Sequence, residues 1–151
     1  IIYLDMNREI KYKGLTSNRT WVYGNLIQGK KGDCYICSIN ENPIYKNGDS
    51  WYIDSPCYVV IPETVCQFTG YKDKNANEIF EGDIIGDWTD VDGKMEQSKL
   101  TVYFDEMLGQ WMLDNSSKQD KTISYSLFSE LQDFEYEIIG NIYENPDLLP
   151  T

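Results

Sequence analysis

The sequence predicts a mainly β protein. An antiparallel β region is expected over residues 1–62, followed by a small SH3-like β-barrel over residues 63–151 that carries one short helix. Three observations lead there. Short runs rich in aromatic and β-branched residues recur along the chain, broken by Gly, Asn, Asp and Ser clusters. The best helical spacing of apolar residues lies in one stretch, Ser126 to Phe134. A tight Glu81-Gly82-Asp83 turn entering a strand, then a variable loop, a hairpin and a last strand, is how small SH3-like barrels are often written.

In the first half, strands are expected at Glu9 to Tyr12, Trp21 to Ile27, Tyr35 to Ile39, Ser50 to Ile53 and Tyr58 to Ile61. Gly29-Lys30-Lys31-Gly32-Asp33 reads as a hairpin turn. Asn40 to Ser50 reads as a longer loop, because Asn42-Pro43 and Asn47-Gly48-Asp49 are turn formers. Pro62 and Glu63 mark the boundary between the halves.

The second half continues in the same style. Val65 to Phe68 is a strand, followed by a polar turn and a short aromatic strand ending at Phe80. Asp83 to Gly86 starts the next strand, and Asp87 to Lys94 is a polar excursion holding Asp92-Gly93. Leu100 to Asp105 alternates and should be half-buried, with Gln110 to Leu113 as its hairpin partner across Gly109. Asn115 to Thr122 is polar loop. Leu127, Phe128, Leu131 and Phe134 are spaced for one apolar helix face, which Ser124 or Ser126 is placed to cap. Glu137 to Tyr143 closes the fold, and Asn145-Pro146 stops it.

Composition narrows the function. The hydrophobic fraction is 41%, enough for a real core. No apolar run is long enough to span a bilayer, and no basic-then-apolar leader is seen, so a soluble, cytoplasmic protein is expected. The chain has no histidine, which removes Ser-His-Asp and Cys-His catalysis and every His-containing metal site. The net charge is −12 and uneven. Residues 1–62 hold seven Lys and Arg against six Asp and Glu, or +1; residues 63–151 hold six against nineteen, or −13. A field of that sign repels nucleic-acid phosphates and attracts basic partners.

Cys34 and Cys37 form a C-x-x-C pair, with Cys57 and Cys66 further on. The pair lies in a strand-like run, where positions three apart point to opposite faces, and Cys57 to Cys66 is not a second zinc knuckle. The expectation is four buried or half-buried free thiols, with no metal and no cofactor. Asp87, Asp90, Asp92 and Gly93 invite a calcium reading, but Trp88 and Lys99 stand where an EF-hand loop needs ligands, and a charged hairpin loop is the better account. Glu81 and Asp83 could serve as paired carboxylates; the alternative is that Asp83 accepts hydrogen bonds from turn amides while Gly82 supplies backbone freedom. Arg8, Lys11, Lys13, Arg19, Lys30 and Lys31 are a modest basic set beside many aromatics, without a Gly-rich phosphate loop.

The segment from Phe68 to Ile85, with Thr69-Gly70-Tyr71-Lys72-Asp73-Lys74 and Glu78-Ile79-Phe80-Glu81-Gly82-Asp83, resembles the signature of the YopX family, encoded mainly by bacteriophages and prophages. Arg8 to Gly14, Trp21 to Leu26, Ile61 to Val65 and Glu137 to Pro146 resemble its other blocks, in family order. Relatives usually carry Asn-Gly where this chain has Asn75-Ala76, and a small residue where it has Cys66, which suggests packing for Cys66. The resemblance also suggests Met6 as the natural start, with Ile1 to Asp5 then either an addition or part of a variant start. The family implies no biochemical role. The expectation is therefore a non-enzymatic accessory protein that binds a host or phage protein, or itself as a homo-oligomer, through its acidic C-terminal half. Binding of a nucleotide-like small molecule is the alternative, and a carboxylate-dependent hydrolase a further one. Lys72, Asp73, Lys74, Glu81 and Asp83, in the signature loop, are the candidate binding residues, since loops are where sites tend to lie.

Overall fold

The structure is a computed structural model, and it describes residues 9–38, 44–53, 55–115 and 124–149. The chain divides into two compact units, Ile1–Phe68 and Thr69–Thr151. The division falls between Phe68 and Thr69, six residues beyond the Pro62-Glu63 boundary read from the sequence.

In the first unit the strands are β1 (Tyr12–Leu15), β2 (Trp21–Gln28), β3 (Cys34–Cys37), the hairpin β4 (Ile44–Asn47) and β5 (Ser50–Ile53), β6 (Cys57–Val60) and the start of β7 (Cys66–Lys72). Their sheet order is β6-β3-β2-β1-β7, with antiparallel neighbours, and β4 pairs β5 separately. β2 serves two partners. Its first half pairs β1, from Leu15↔Trp21 to Tyr12↔Gly24, and its second half pairs β3, from Asn25↔Cys37 to Gln28↔Cys34. The handover falls at Gly24, whose φ is +154°, and a Cβ there would collide with the Cys37 carbonyl oxygen. Only glycine lets the two backbones approach this closely. Cys34, Ile36 and Val60 form the core, with Tyr12, Val22, Leu26 and Val65 against it. Buried Thr64 ties the Pro62–Thr64 3-10 turn to β1: its hydroxyl accepts the Leu15 N–H at 2.9 Å and donates to the Ile61 carbonyl at 2.7 Å.

In the second unit, β7 continues and pairs β8 (Glu78–Phe80). Then follow β9 (Asp83–Gly86), the ribbon β10 (Trp88–Val91) and β11 (Lys94–Gln97), β12 (Leu100–Asp105), β13 (Gln110–Asp114), β14 (Ser124–Ser126), α1 (Leu127–Asp133) and β15 (Glu137–Asn141). The main sheet runs β14-β13-β12-β9-β15, all antiparallel, with an irregularity in β15 between Ile138 and Gly140. Alternation along β12 buries Leu100 and Val102, which join Ile79, Ile85, Trp111, Leu113, Leu127 and Tyr136 in one core. Among the described residues, no helix is long and apolar enough to cross a membrane.

Among the described residues, the mainly β, antiparallel expectation with one α-helix is what the chain forms. Four details differ. The first strand is Tyr12–Leu15, not Glu9 to Tyr12, because the sheet partners of β2 are the residues just before its turn. β4 forms within the stretch expected as loop and pairs β5, the strand expected at Ser50 to Ile53, while the charged hairpin loop expected around Asp92-Gly93 is the β10–β11 hairpin, which runs on to Gln97. The helix covers only seven residues, so Leu127 is buried and Leu131 half-buried, while Phe128 and Phe134 are exposed; Phe134 already has extended backbone. Ser126 stands at the N-cap position without a capping hydrogen bond, and Ser124 instead accepts the Tyr103 hydroxyl at 3.0 Å. The loop expected at Asn115 to Thr122 lies outside the described residues from position 116 onward.

Candidate functional site

The signature loop is built around one carboxylate. Asp73 is buried and caps its own turn: Oδ1 accepts the N–H groups of Asn75 and Asn77 at 2.9 and 2.8 Å, and Oδ2 accepts the Asn77 side-chain amide at 3.1 Å. Oδ2 also accepts the Ile138 N–H at 3.1 Å, and the Lys74 N–H donates to the Tyr136 carbonyl at 2.9 Å, so the turn is docked on β15. Burial pushes the Asp73 carboxyl up, but the hydrogen bonds from Ile138, Asn77 and Asn75 outweigh it and hold the group below the ordinary aspartate range. Ala76 sits at φ +64°, the left-handed conformation that glycine would take at no cost.

The next carboxylate is used in the same way. Asp83 is 2% exposed and its Oδ2 accepts the Phe80 N–H at 2.8 Å across the Glu-Gly-Asp turn. Gly82, at φ +78°, donates to the Val102 carbonyl and accepts the Ile142 N–H, at 2.8 and 2.9 Å. Of the five candidate residues, Asp73 accepts backbone and side-chain amides with both oxygens, and Asp83 accepts a backbone amide with Oδ2. Lys74 pairs with Glu137 at 3.1 Å, Lys72 is exposed and Glu81 is half-buried. The geometry arranges a scaffold here, with the two buried carboxylates turned to different backbone partners.

Polar residues that the sequence reading passed over do similar work. Buried Asn141 accepts the N–H groups of Tyr143 and Glu144 at 3.0 Å each and donates its amide to Glu144 at 2.9 Å. Thr69 donates to the Ile79 carbonyl at 2.7 Å. Tyr136 donates to Glu130 Oε2 at 2.7 Å; burial, reinforced by the Glu130 bond and charge, raises its phenol well above the usual tyrosine range.

The cysteines differ from the expectation of four free thiols. Cys37 and Cys57 are disulfide-bonded, because the β3–β6 register sets them directly opposite. Cys34 and Cys66 are free and buried; Cys66 donates to the Thr64 carbonyl at 3.2 Å. Among the described residues, no group of three or more Asp, Glu, Cys or His side chains is arranged to hold a metal ion. The basic set is also engaged in part: Lys11 pairs with Glu9 at 3.0 Å and lies 5.3 Å from the Phe68 ring, and buried Lys13 lies 4.8 Å from the Trp21 ring.

Exposed apolar side chains of the second unit lie on the β10–β11 ribbon, at the turn after β12, at Phe104 in β12 and at Phe128 and Phe134 around α1. The β10–β11 ribbon turns at Asp92 and Gly93, both at positive φ (+52° and +78°), with the Gly93 N–H on Asp90 Oδ1 at 2.7 Å. Trp88 is 51% and Met95 60% exposed. The register Trp88↔Gln97 and Asp90↔Met95 puts both on one face, beside Asp90. At the opposite end of β12, the Asp105 carboxylate holds a turn that leaves Met107 and Leu108 in solvent.

No protein of curated function matches the chain. Among solved structures, the crystal structure of protein EF1440 from Enterococcus faecalis is similar, with a TM-score of 0.62 and 22% identity, over 93% of this chain and 98% of that one. That likeness shows a shared fold. The profile described as YopX protein matches residues 11–150, nearly the whole length, and the chain belongs to the YopX family.

Proposed function

We propose that this chain is a non-enzymatic accessory protein of phage or prophage origin, working in the bacterial cytoplasm, that binds a basic partner protein through its acidic second unit. The observation that carries this reading is the β10–β11 ribbon. Trp88, Val91 and Met95 are all exposed, on a two-stranded ribbon that also bears Asp90, Asp92 and Glu96. Exposed large aromatic and Met side chains bordered by charge match the composition of a protein interface, where Trp anchors dominate the energy. Residues 69–151 hold six Lys and Arg against eighteen Asp and Glu, or −12, a field that steers a cationic partner. A cationic side chain also suits the Trp88 ring. A second copy of the chain would carry the same charge, which weighs against self-association through this face. An SH3-like curvature of the second unit is part of the proposal, supported by the Gly82 turn into β9 and by α1 between β14 and β15.

The test is capture from a bacterial lysate at low and high salt, with the wild type and a Trp88→Ala/Met95→Ala variant side by side. The reading expects a partner whose retention falls with salt and is lost with the variant. Retention that ignores both salt and the ribbon substitutions contradicts it.

A further inference from the structure

The Cys37–Cys57 bond has two unlike ends. Cys37 is 2% exposed and closes β3, while Cys57 is exposed and opens β6, the edge strand of the first unit's sheet. The Ser38 N–H donates to the Pro56 carbonyl at 3.0 Å. By the alternation of an antiparallel ladder, Cys37↔Cys57 is then a non-hydrogen-bonded pair, the closely spaced kind, and the Cα atoms are 4.0 Å apart. The bond closes 20 residues of sequence that include the β4–β5 hairpin. Both remaining thiols, Cys34 and Cys66, are buried at 5% and 1% exposure.

We infer that this disulfide is a thiol-exchange site entered at Cys57, with a small-molecule thiol of the glutathione type as its co-substrate. Exchange rate depends on which sulfur an attacking thiolate can reach, and only the Cys57 end is open to solvent. A thiolate RS⁻ attacks Cys57 Sγ, the Sγ–Sγ bond breaks, and Cys37 leaves as a thiolate that takes a proton from water. A second RS⁻ attacks the mixed disulfide, releasing RSSR and the Cys57 thiolate, which is protonated in turn. The protein gains two electrons and two protons, and two RSH become one RSSR. RSSR drives the reverse path. The remaining β3–β6 register, Cys34↔Val60 to Ile36↔Tyr58, keeps the two sulfurs opposed after opening, so re-closure is intramolecular.

The test uses the full chain in glutathione redox buffers of stepped ratio, quenched with acid, alkylated and mapped by peptide mass, with circular dichroism as the check on folding. The expected result is a single two-electron transition between Cys37–Cys57 and the dithiol with the fold retained, Cys34 and Cys66 carrying no glutathione at any ratio. The Cys37→Ala variant should accumulate a glutathione adduct on Cys57. If that variant does not fold, the wild-type titration decides alone. A bond that opens only when the chain unfolds, an adduct on Cys37 of the wild type, or no Cys37–Cys57 bond at any ratio would overturn the assignment.

Discussion

Asp73 Oδ2 accepts the backbone N–H of Ile138, 65 residues further along the chain, at 3.1 Å. One side chain therefore shapes the turn between β7 and β8 and fastens that turn to the closing strand β15. Removing it takes the acceptor from the Asn75, Asn77 and half-buried Ile138 amides, and hydrogen bonds to a buried charge are the expensive kind to lose. Asp73→Ala should destabilise the protein by about 2–4 kcal/mol, read as a lowered urea midpoint. An unchanged midpoint would mean that the loop is not held this way.

The same carboxylate predicts an acid limb. Its folded-state pKa is depressed, so its contribution is fully present above the unfolded value of about 3.9 and is lost as pH falls through the lower folded value. Wild-type stability should drop as pH falls below about 4, and the drop should be shallower in Asp73→Ala.

Ala76 at φ +64° gives the opposite sign. A left-handed non-glycine residue costs about 1–2 kcal/mol, and glycine loses about 0.5–1 kcal/mol more in chain entropy. Ala76→Gly should therefore stabilise by up to about 1 kcal/mol, visible as a raised melting temperature. Destabilisation by this substitution would contradict the turn geometry.

Gly24→Ala should be among the most damaging substitutions in the first unit. The added methyl meets the Cys37 carbonyl, a backbone atom with no room to move aside, at a φ that side chains rarely adopt. A loss of about 2–4 kcal/mol is expected by denaturant titration.

Tyr136 sets an alkaline limb. Its phenol is raised by burial and by Glu130, so its contribution is present below the unfolded value of about 10 and is lost as pH rises above it. Stability measured from pH 8 to 11 should fall for the wild type and fall less for Tyr136→Phe.

The legible parts of this fold are those where burial writes a period into the sequence. Leu100 and Val102 point inward from β12, and the alternation around them reads directly as a half-buried strand. The β10–β11 ribbon has no buried residue, so Trp88 to Gln97 carries no such period. Its one local sign is Asp92-Gly93, the dipeptide suited to two successive positive φ angles, which marks a hairpin turn without showing how far the ribbon extends. The cysteine pairing was not legible, because connectivity depends on which strands become neighbours. Nor was the role of Asp73: whether a loop carboxylate meets a ligand or the protein's own amides is decided by Ile138, far along the chain.

The binding constant of the captured partner, measured across a salt series for the wild type and for Trp88→Ala, bears on the whole reading at once. Affinity should fall steadily with salt, and the variant should bind at least about tenfold more weakly, about 1.4 kcal/mol, with its melting temperature unchanged. Equal affinity in both proteins, flat across salt, would show that the exposed ribbon and the acidic field play no part in recognition.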